Sequence, residues 1–502
     1  MTDSWANLEA GADAGSAPAA AGLDLHLELT GPRVRAALEN ALRQAVQDGR
    51  LTAGMRLPAT RTLAADLGVA RNTVADAYGQ LVAEGWLTAR QGSGTRVAER
   101  VTARGAAAPP GPVPPAPAPP GPVRPAPVLP ATVPHAPSAP RYDLRPGVPD
   151  LSEFPRAAWL AAARRAVSAA PSAAFGYGSP RGRPELRAAL AAYLARARGV
   201  RAAPEQIVIC SGFTQALSLL SRVLAASGAT AMAVEAFGHR HHRDVIAAQG
   251  LAATPVPVDG RGAVIDAVGQ VAGAGAVLLT PSHQFPLGVP LAPQRRSQAV
   301  RWAARAGAVV IEDDYDGEFR YDRRAIGAMQ ALAPEHVVYA GTASKTLSPA
   351  VRLAWLVLPD RLLGDVVAAK SLTDRHGSSL DELTLAELIV SGGYDRHVRR
   401  SRLRYRRRRD RLIAALAEVS PGTRVTGLAA GLHAVLHLAP GRSEADVVAA
   451  AAARGLALNG MRGFRSAGVA HPEALVLGYG TPPAHAFTTA VTRLCAVLAE
   501  RT

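Results

Sequence analysis

The feature that most constrains this chain is a run of 32 residues, Pro109 to Pro140, that contains 15 prolines. Proline donates no backbone hydrogen bond and interrupts helices and central strands, so this run cannot belong to a packed core. It favours polyproline II, which reaches up to roughly 100 Å at about 3.1 Å per residue. We therefore predict a linker at residues 99–141 between a first domain at 23–98 and a second at 142–502, with a flexible tail at 1–22.

The composition limits the class of protein. A formal charge of +16 favours a polyanionic partner. Cys210 and Cys495 provide neither a disulfide framework nor metal-ligand spacing. No apolar run approaches the roughly 18 residues that a membrane span needs, and the N-terminus lacks a signal-peptide pattern. We expect a cytoplasmic protein without a metal or a membrane partner.

The first domain is predicted to form three short helices and a two-stranded hairpin. An apolar stripe with four-residue spacing marks the first helix: Val34, Leu38, Leu42 and Val46. The second helix is predicted over residues 60–67 and the third over 71–82, with Gly68 as the turn between them. Residues 86–97 then form a wing whose turn lies at 91–94.

This arrangement predicts which residues contact DNA. The third helix would enter the major groove by its N-terminal end, so Arg71, Asn72 and Thr73 are candidates for base contacts. The candidates for phosphate contacts lie on the second helix and the wing: Arg61, Arg90, Ser93, Gly94 and Thr95.

Four motifs of the first domain resemble the winged helix-turn-helix of GntR-family bacterial regulators: Leu57–Arg61, Leu67–Val74, Leu81–Gly85 and Gly92–Thr95. The resemblance implies double-stranded promoter or operator DNA as the partner. Residues 1–98 hold 9 arginines and 10 acidic residues, so the domain is not net basic. A small helical module that only mediates protein contacts therefore remains the alternative.

The second domain alternates short apolar runs with helical stretches, which predicts a mostly parallel sheet covered by helices. The predicted strands are Ile207–Cys210, Ala231–Val234, Ala276–Thr280, Ala308–Ile311, Val337–Tyr339 and Ala354–Leu358. Ligand groups gather at the C-terminal ends of such strands. Gly212, Asp313 and Lys345 each follow one of these strands closely, so we expect them at one edge of the sheet.

Lysine is nearly absent from this chain, since only Lys345 and Lys370 stand among its 56 basic residues. A retained lysine suggests chemistry that needs a primary amine, because a guanidinium stays protonated and does not condense with an aldehyde. A lysine that escaped the compositional bias by chance is the alternative. The neighbours of Lys345 favour the chemical role.

Those neighbours fit pyridoxal 5'-phosphate (PLP), which needs an amine, a carboxylate, a donor to its phenolic oxygen and a phosphate cradle. Lys345 would form the Schiff base, Asp313 would pair with the ring nitrogen, and Tyr315 would reach the phenolic oxygen. The expected phosphate ligands are helix N-terminal amides, hydroxyls and one guanidinium: Gly212, Phe213, Thr214, Thr342, Ser344 and Arg352.

Five motifs together resemble fold-type I aminotransferases: Tyr177–Gly182, Ser211–Gln215, Thr280–Pro286, Ile311–Asp316 and Ser344–Pro349 with Arg352. The resemblance implies an α/β fold in which a PLP-binding domain with a mostly parallel sheet carries a smaller C-terminal subdomain. In that family a tyrosine matching Tyr177 reaches the phosphate of the partner subunit, which implies a homodimer with shared PLP sites. Joined to a GntR-like domain, the pattern is similar to the MocR/GabR group of PLP-binding transcriptional regulators.

Three departures from the enzyme pattern bear on activity. Val476 stands where aminotransferases commonly carry an arginine that clamps the substrate carboxylate, and Phe285 replaces an asparagine that contacts the cofactor. His239 stands where an aromatic residue stacks on the cofactor ring, and we assign it that role. A surface-loop histidine is the alternative for His239, and Arg240 or Arg243 could supply another clamp.

The missing clamp favours a sensor with at most residual transaminase activity, because a buried carboxylate without a partner is costly. Within the MocR group this favours a PdxR-type regulator of PLP biosynthesis genes. Two alternatives stay open: an aminotransferase with an appended DNA-binding module, and a regulator that senses an amine or amino-acid effector such as GABA through PLP. RNA polymerase is left open as a further partner.

A last feature is the charge run at residues 396–411, which contains ten arginines. Their spacing scatters them around a helix rather than on one face. A solvated helix and a secondary DNA-facing or inter-domain surface both fit this run.

Overall fold

The computed structural model describes residues 34–47, 51–90, 94–98, 140–321, 326–419, 424–427 and 430–500. The predicted tail at 1–22 and nearly all of the predicted linker lie outside the described residues, as does Ser93. The domain boundaries therefore stay predictions.

The N-terminal part contains α1 Val34–Gln47, α2 Thr60–Asp66, α3 Arg71–Ala83, β1 Leu87–Arg90 and β2 Gly94–Val97. The apolar spacing of the sequence buries Leu38 of α1 and Val74 of α3 in one core. Gly68 turns the chain between α2 and α3 with a φ of 63°, a conformation that glycine adopts without strain. β1 and β2 pair antiparallel, which completes the predicted winged helix-turn-helix.

Residues 140–500 form a larger part, which we call the body. Its strands are β3 Tyr142–Asp143, β4 Ile207–Cys210, β5 Ala231–Glu235, β6 Ala252–Val256, β7 Val258–Asp259, β8 Gly262–Ala263, β9 Ala274–Leu279, β10 Val309–Asp313, β11 Val337–Thr342, β12 Ala354–Val357, β13 Arg424–Thr426, β14 His433–His437, β15 Leu456–Ala457, β16 Asn459–Gly460 and β17 Ala474–Gly478. Its helices are α4 Arg156–Ala169, α5 Pro184–Arg198, α6 Phe213–Ala226, α7 Arg240–Ala248, α8 Ile265–Val268, α9 Pro293–Ala306, α10 Asp360–Thr373, α11 Ser379–Val390, α12 Gly393–Val419, α13 Glu444–Ala453 and α14 Ala484–Ala499.

Seven strands form the central sheet of the body in the order β4-β12-β11-β10-β9-β5-β6. Only β12 runs antiparallel to its neighbours in this sheet. Successive residues of β10 pack into different apolar clusters, Val310 into one and Ile311 into another, because helices cover both faces. Since β4, β10 and β11 point the same way, the loops that follow them meet at one edge.

A four-stranded sheet in the order β13-β14-β17-β16 forms the smaller C-terminal subdomain. Its apolar side packs with residues of α12, α13 and α14, including Leu412, Val447 and Leu494. The mixed architecture confirms the predicted α/β fold class. Among the described helices, none combines the length and the apolar character that a membrane crossing would require.

The arginine-rich run lies within α12, and its arginines surround the helix as predicted. The exposed ones nevertheless share one face: Arg396, Arg399, Arg400, Arg406, Arg407 and Arg411. Inward-facing arginines bind the body instead. Arg408 is buried and its Nη2 lies 2.6 Å from Asp150 Oδ2, so part of the run stabilises the fold rather than facing solvent.

Candidate functional site

A cavity of about 280 Å³ opens at the C-terminal edge of the central sheet. Ten of the eleven residues predicted to bind the cofactor line it: Gly212, Phe213, Thr214, His239, Asp313, Tyr315, Thr342, Ser344, Lys345 and Arg352. These residues are distant in the chain, and the parallel strands bring them together because the loops after the strands share this edge.

Lys345 enters the cavity from the loop that follows β11. Its Nζ donates a hydrogen bond to Gly147 O at 2.5 Å. Burial lowers the pKa of its ammonium group, although Asp313 and Asp316 act in the opposite direction. A buried lysine that loses its proton easily is a better nucleophile toward an aldehyde.

Asp313 ends β10 at the floor of the cavity and is 7% exposed. Burial raises the pKa of its carboxyl group to about 8, against the lowering effect of Lys345. A cation in the cavity would stabilise the ionised form of this carboxyl group. The protonated ring nitrogen of PLP is such a cation.

Tyr315 is held by a histidine that the sequence did not single out. The tyrosine hydroxyl donates to His283 O at 3.0 Å and lies 3.2 Å from His283 Nδ1. The same Nδ1 lies 2.8 Å from Asp316 Oδ2, and both side chains are 2% exposed. This buried group fixes the hydroxyl that would face the phenolic oxygen of the cofactor.

The predicted phosphate cradle lies at the start of α6. Gly212 precedes the helix with a φ of 88°, and a Cβ on this residue would lie 2.9 Å from Arg352 Nη1. Thr342 and Ser344 lie beside them, with the Ser344 amide donating to Thr342 Oγ1 at 3.1 Å. Helix amides, hydroxyls and a guanidinium together suit a phosphate dianion.

An apolar wall closes another side of the cavity. His239 stacks on Phe285 with ring centroids 4.3 Å apart and 15° between the ring planes. Burial lowers the pKa of His239 to about 4, so this ring is neutral near pH 7. Val476 is fully buried in the apolar cluster that contains Phe285. The position that carries a clamping arginine in the aminotransferase pattern therefore lies in the apolar cluster behind Phe285 and does not line the cavity.

Further residues that were not predicted as cofactor ligands also line the cavity, among them Gly147, Glu235, His242 and Arg243. Glu235 could have been found, because it ends β5 at the same edge as Asp313 ends β10. Gly147 could not, since it precedes Lys345 by 198 residues and has no distinctive pattern around it. Burial raises the pKa of Glu235 to about 7.

Tyr177 is the predicted cofactor residue that does not line this cavity. Its side chain is 81% exposed, and the Arg375 guanidinium lies 4.2 Å from its ring centroid. Tyr177 thus lies on the surface of the chain rather than in the cavity.

The N-terminal end of α3 is the second candidate site. Arg71 and Asn72 are exposed there, and Thr73 is half-buried. The Tyr78 hydroxyl donates to Pro58 O at 3.0 Å, which holds α3 against the segment that leads into α2. The first turn of α3 is therefore presented to solvent from a fixed position, as a reading helix requires.

The remaining DNA candidates flank this turn. Arg61 is exposed on α2, Gly94 and Thr95 lie on β2, and Arg90 pairs with Gly94 across the hairpin. Ser93 and the side chain of Arg90 lie outside the described part of the chain. Arg56, which was not predicted, is exposed beside the wing: a Cβ on Gly94 would lie 3.0 Å from its Nε.

Comparison with known proteins supports both halves of this description. Residues 35–97 match the gntR family of bacterial regulatory proteins, and residues 144–466 match the aminotransferase class I and II family. The chain is 34% identical over 382 residues to the probable rhizopine catabolism regulatory protein MocR of Rhizobium meliloti, with 75% of this chain and 76% of that protein covered. This chain belongs to the MocR-type regulators of the GntR family. It is a DNA-binding transcriptional regulator.

Other relatives of this MocR-type chain agree. It is 31% identical over 444 residues to the pyridoxine biosynthesis regulator PdxR of Corynebacterium glutamicum, with 88% of this chain and 91% of that one covered. An archaeal alanine:glyoxylate aminotransferase has a TM-score of 0.66 at 25% identity, over 72% of this chain and 91% of the enzyme. The kynurenine aminotransferase of Pyrococcus horikoshii, with a TM-score of 0.64 at 24% identity over 72% of this chain and 91% of the enzyme, shares the fold.

The cavity of this MocR-type regulator fits PLP, the cofactor of aminotransferases with this fold. Gly212 has no Cβ, which leaves room for the phosphate beside Arg352. The buried carboxyl group of Asp313 suits the ring nitrogen. Bound PLP supplies an aldehyde for an amine and a ring that withdraws electrons. Lys345 is the cavity's amine.

Proposed function

We propose that PLP binds covalently to Lys345 and that occupancy of the cavity alters how the winged helix-turn-helix binds promoter DNA. The supporting observation is the meeting in one cavity of a half-buried lysine, a buried carboxyl group and a phosphate cradle. Asp313 would hold the ring nitrogen, Tyr315 the phenolic oxygen and Arg352 the phosphate. Arg71 and its neighbours in the first turn of α3 would contact bases.

We infer a sensor with at most residual transaminase activity. A substrate carboxylate placed against Phe285, which lines the cavity in front of Val476, would lose its hydration without gaining a charged partner, which is unfavourable. The regulated genes that best suit a sensor of the cofactor itself are those of PLP biosynthesis. The similarity to PdxR supports this choice.

A second candidate function rests on Arg243. This residue lines the cavity, and its guanidinium donates to Gly238 O at 3.4 Å and to Arg465 O at 3.2 Å. A carboxylate could replace such long contacts with backbone oxygens. The position of Arg243 therefore favours an amino-acid effector such as GABA, or transamination. Arg243 is a better candidate for the clamp than Arg240, whose side chain is 82% exposed.

We further propose a homodimer with shared cofactor sites. The exposed Tyr177 would then reach the phosphate in a second copy of the chain. Several large apolar side chains are exposed on the body as well, including Leu160 at 68%, Leu372 at 86% and Val390 at 74%. A contiguous apolar patch built from such side chains would mark a surface that another chain covers.

Footprinting on the promoter of the neighbouring gene, with and without PLP, tests the proposed function. We expect a protected site whose affinity changes when PLP is added, and Lys345→Ala should remove that change. Equal protection in all four samples would contradict the proposal. RNA polymerase recruitment can be followed on the same fragment.

A single-turnover absorbance assay separates the two candidate functions. If the chain senses PLP itself, common amino acids and GABA leave the spectrum of the bound cofactor unchanged. Rapid conversion of the cofactor to its amine form would establish an enzyme instead. Loss of that conversion in Arg243→Ala, but not in Arg240→Ala, would identify the clamp.

A further inference from the structure

The winged helix-turn-helix rests on the body through the end of α3 that lies opposite its reading turn. Leu81 and Trp86 belong to the same apolar cluster as Met329 and Leu332 of the body. A Cβ on Gly85 would lie 3.5 Å from Leu332 Cδ1 and 3.8 Å from Pro293 O. The contact leaves the first turn of α3 free to meet DNA.

Glu84 is the charged residue at this contact, and it is 5% exposed. On its own domain, Glu84 receives two hydrogen bonds from Arg43, at 2.8 and 2.9 Å. On the side of the body, its carboxylate lies against Gly327, where a Cβ would be 3.3 Å from Glu84 Cδ. Gly327 thus accepts no larger side chain unless the Glu84 carboxylate shifts by a few tenths of an ångström.

A buried arginine continues this contact into the body. Arg296 of α9 is fully buried and donates to Gly327 O and to Pro281 O, both at 3.0 Å. Burial lowers the pKa of its guanidinium, and the carboxylates of Glu312 and Glu84 counteract part of that effect. Pro281 directly follows Thr280, which lines the cofactor cavity.

Glu312 connects the same region to the cofactor strand. Its fully buried carboxylate accepts hydrogen bonds from the amides of Met329 and Gln330, at 2.8 and 2.9 Å. These amides begin the 3-10 turn Met329–Leu332, whose last residue touches the winged helix. Glu312 directly precedes Asp313 in β10, so one strand holds both the cavity floor and the docking turn.

We propose that this contact is a docking surface through which the body sets the position of the winged helix, with Glu84, Arg296 and Glu312 as its positioning residues. The inference rests on the proposed function, because it takes the state of the cofactor cavity as the signal. A displacement of β10 at Asp313 moves Glu312 and its turn, since all three are joined by backbone or by buried hydrogen bonds. The winged helix then follows the turn.

Two variants of the full chain test the docking surface from its two sides. Gly327→Ala places a methyl group against Glu84, and Gly260→Ala is its control because a Cβ at Gly260 meets nothing within 4 Å. Glu84→Gln removes the charge on the winged helix. Glu500→Gln is its control, since Glu500 forms an exposed ion pair with Arg454.

The measured quantity is the ratio of the affinities for the footprinted fragment with and without PLP, alongside the absorbance titration of PLP. We expect a ratio of at least about fivefold in the wild type and in both controls, the low end of usual couplings between sites. Gly327→Ala and Glu84→Gln should bring the ratio close to one while PLP binding is unchanged.

The outcomes separate this inference from the proposed function. If the wild type binds PLP without any change in DNA affinity, the proposed function is wrong and the docking route is wrong with it. If the wild type responds and Gly327→Ala responds equally, only the docking surface is refuted. Should Glu84→Gln fail to bind DNA at all, Gly327→Ala decides alone, because it leaves the winged helix unaltered.

Discussion

The two lysines of this chain occupy very different surroundings. Lys370 is fully buried in α10, and its Nζ lies 2.7 and 2.8 Å from the carboxylate oxygens of Asp374. Asp374 also accepts from Gln215 at 2.6 Å. Lys345 is half-buried in the cavity wall, where its Nζ donates to the carbonyl oxygen of Gly147.

This difference shows that rarity alone does not identify a reactive lysine. An ion pair with Asp374 holds the buried Lys370 side chain in place, which suits a structural residue. Lys345 faces a cavity that also contains Asp313 and Arg352, which suits a residue that forms a bond. Partners and access, rather than composition, separate the two roles.

The largest expected effect tests the chemical half of the comparison. Lys345→Ala should abolish the absorbance band of lysine-bound PLP, because no other amine of the described residues lines the cavity. Its thermal unfolding should stay close to that of the wild type. A retained band would show that another amine binds the cofactor, and Lys370→Ala serves as the matched control.

The next effect tests the structural half. Lys370→Met should lower the free energy of unfolding by about 2 to 3 kcal/mol, less than for a fully buried pair because Asp374 is partly exposed. Chemical denaturation measures this loss. PLP should bind the folded Lys370→Met variant as tightly as it binds the wild type. If Lys370→Met were less destabilised than Lys345→Ala, the structural role would belong to Lys345 instead of Lys370.

A smaller effect concerns the phosphate cradle, which lies in the cavity of Lys345 rather than beside Lys370. Gly212→Ala should weaken PLP binding by about tenfold, because strain of roughly 1 to 3 kcal/mol arises at a positive φ beside Arg352. Gly228→Ala is the control, with a φ of 91° and no atom within 4 Å of its Cβ. Fluorescence or absorbance titration compares the two, and equal affinities would exclude the cradle.

The last effect is a pH dependence at Asp313. Its carboxyl group has a pKa of about 8 in the folded protein against an ordinary value of 3.8, so the folded state binds more protons between these limits. The free energy of unfolding should therefore fall as pH rises from about 4 to 8, and Asp313→Asn should show a shallower fall. Thermal unfolding at several pH values measures both slopes, with the exposed Asp446→Asn as control. Identical pH profiles for the wild type and Asp313→Asn would show that Asp313 does not cause the fall in stability.

Much of the body could be predicted because its signals are local. The apolar run Ile207–Cys210 forms the predicted strand, and the strand predicted at Ala308–Ile311 is β10, which extends two residues further to Asp313. Since parallel strands end at one edge, the order of strands and motifs along the chain was enough to predict that Lys345, Asp313 and Gly212 lie near each other. The winged helix-turn-helix was equally local, because its helices follow directly from apolar spacing and from Gly68.

The sequence therefore determined the fold class, the family and the group of residues that meet in the cavity, because apolar periodicity and motif order act over short stretches of chain. Only the tertiary structure decided that Lys370 is fully buried, that His283 and Asp316 hold Tyr315, and that Glu84 docks against Gly327. Some of these partners are separated by hundreds of residues, as Glu84 and Gly327 are. Packing in three dimensions brings them together, and no local pattern of side chains encodes such distances.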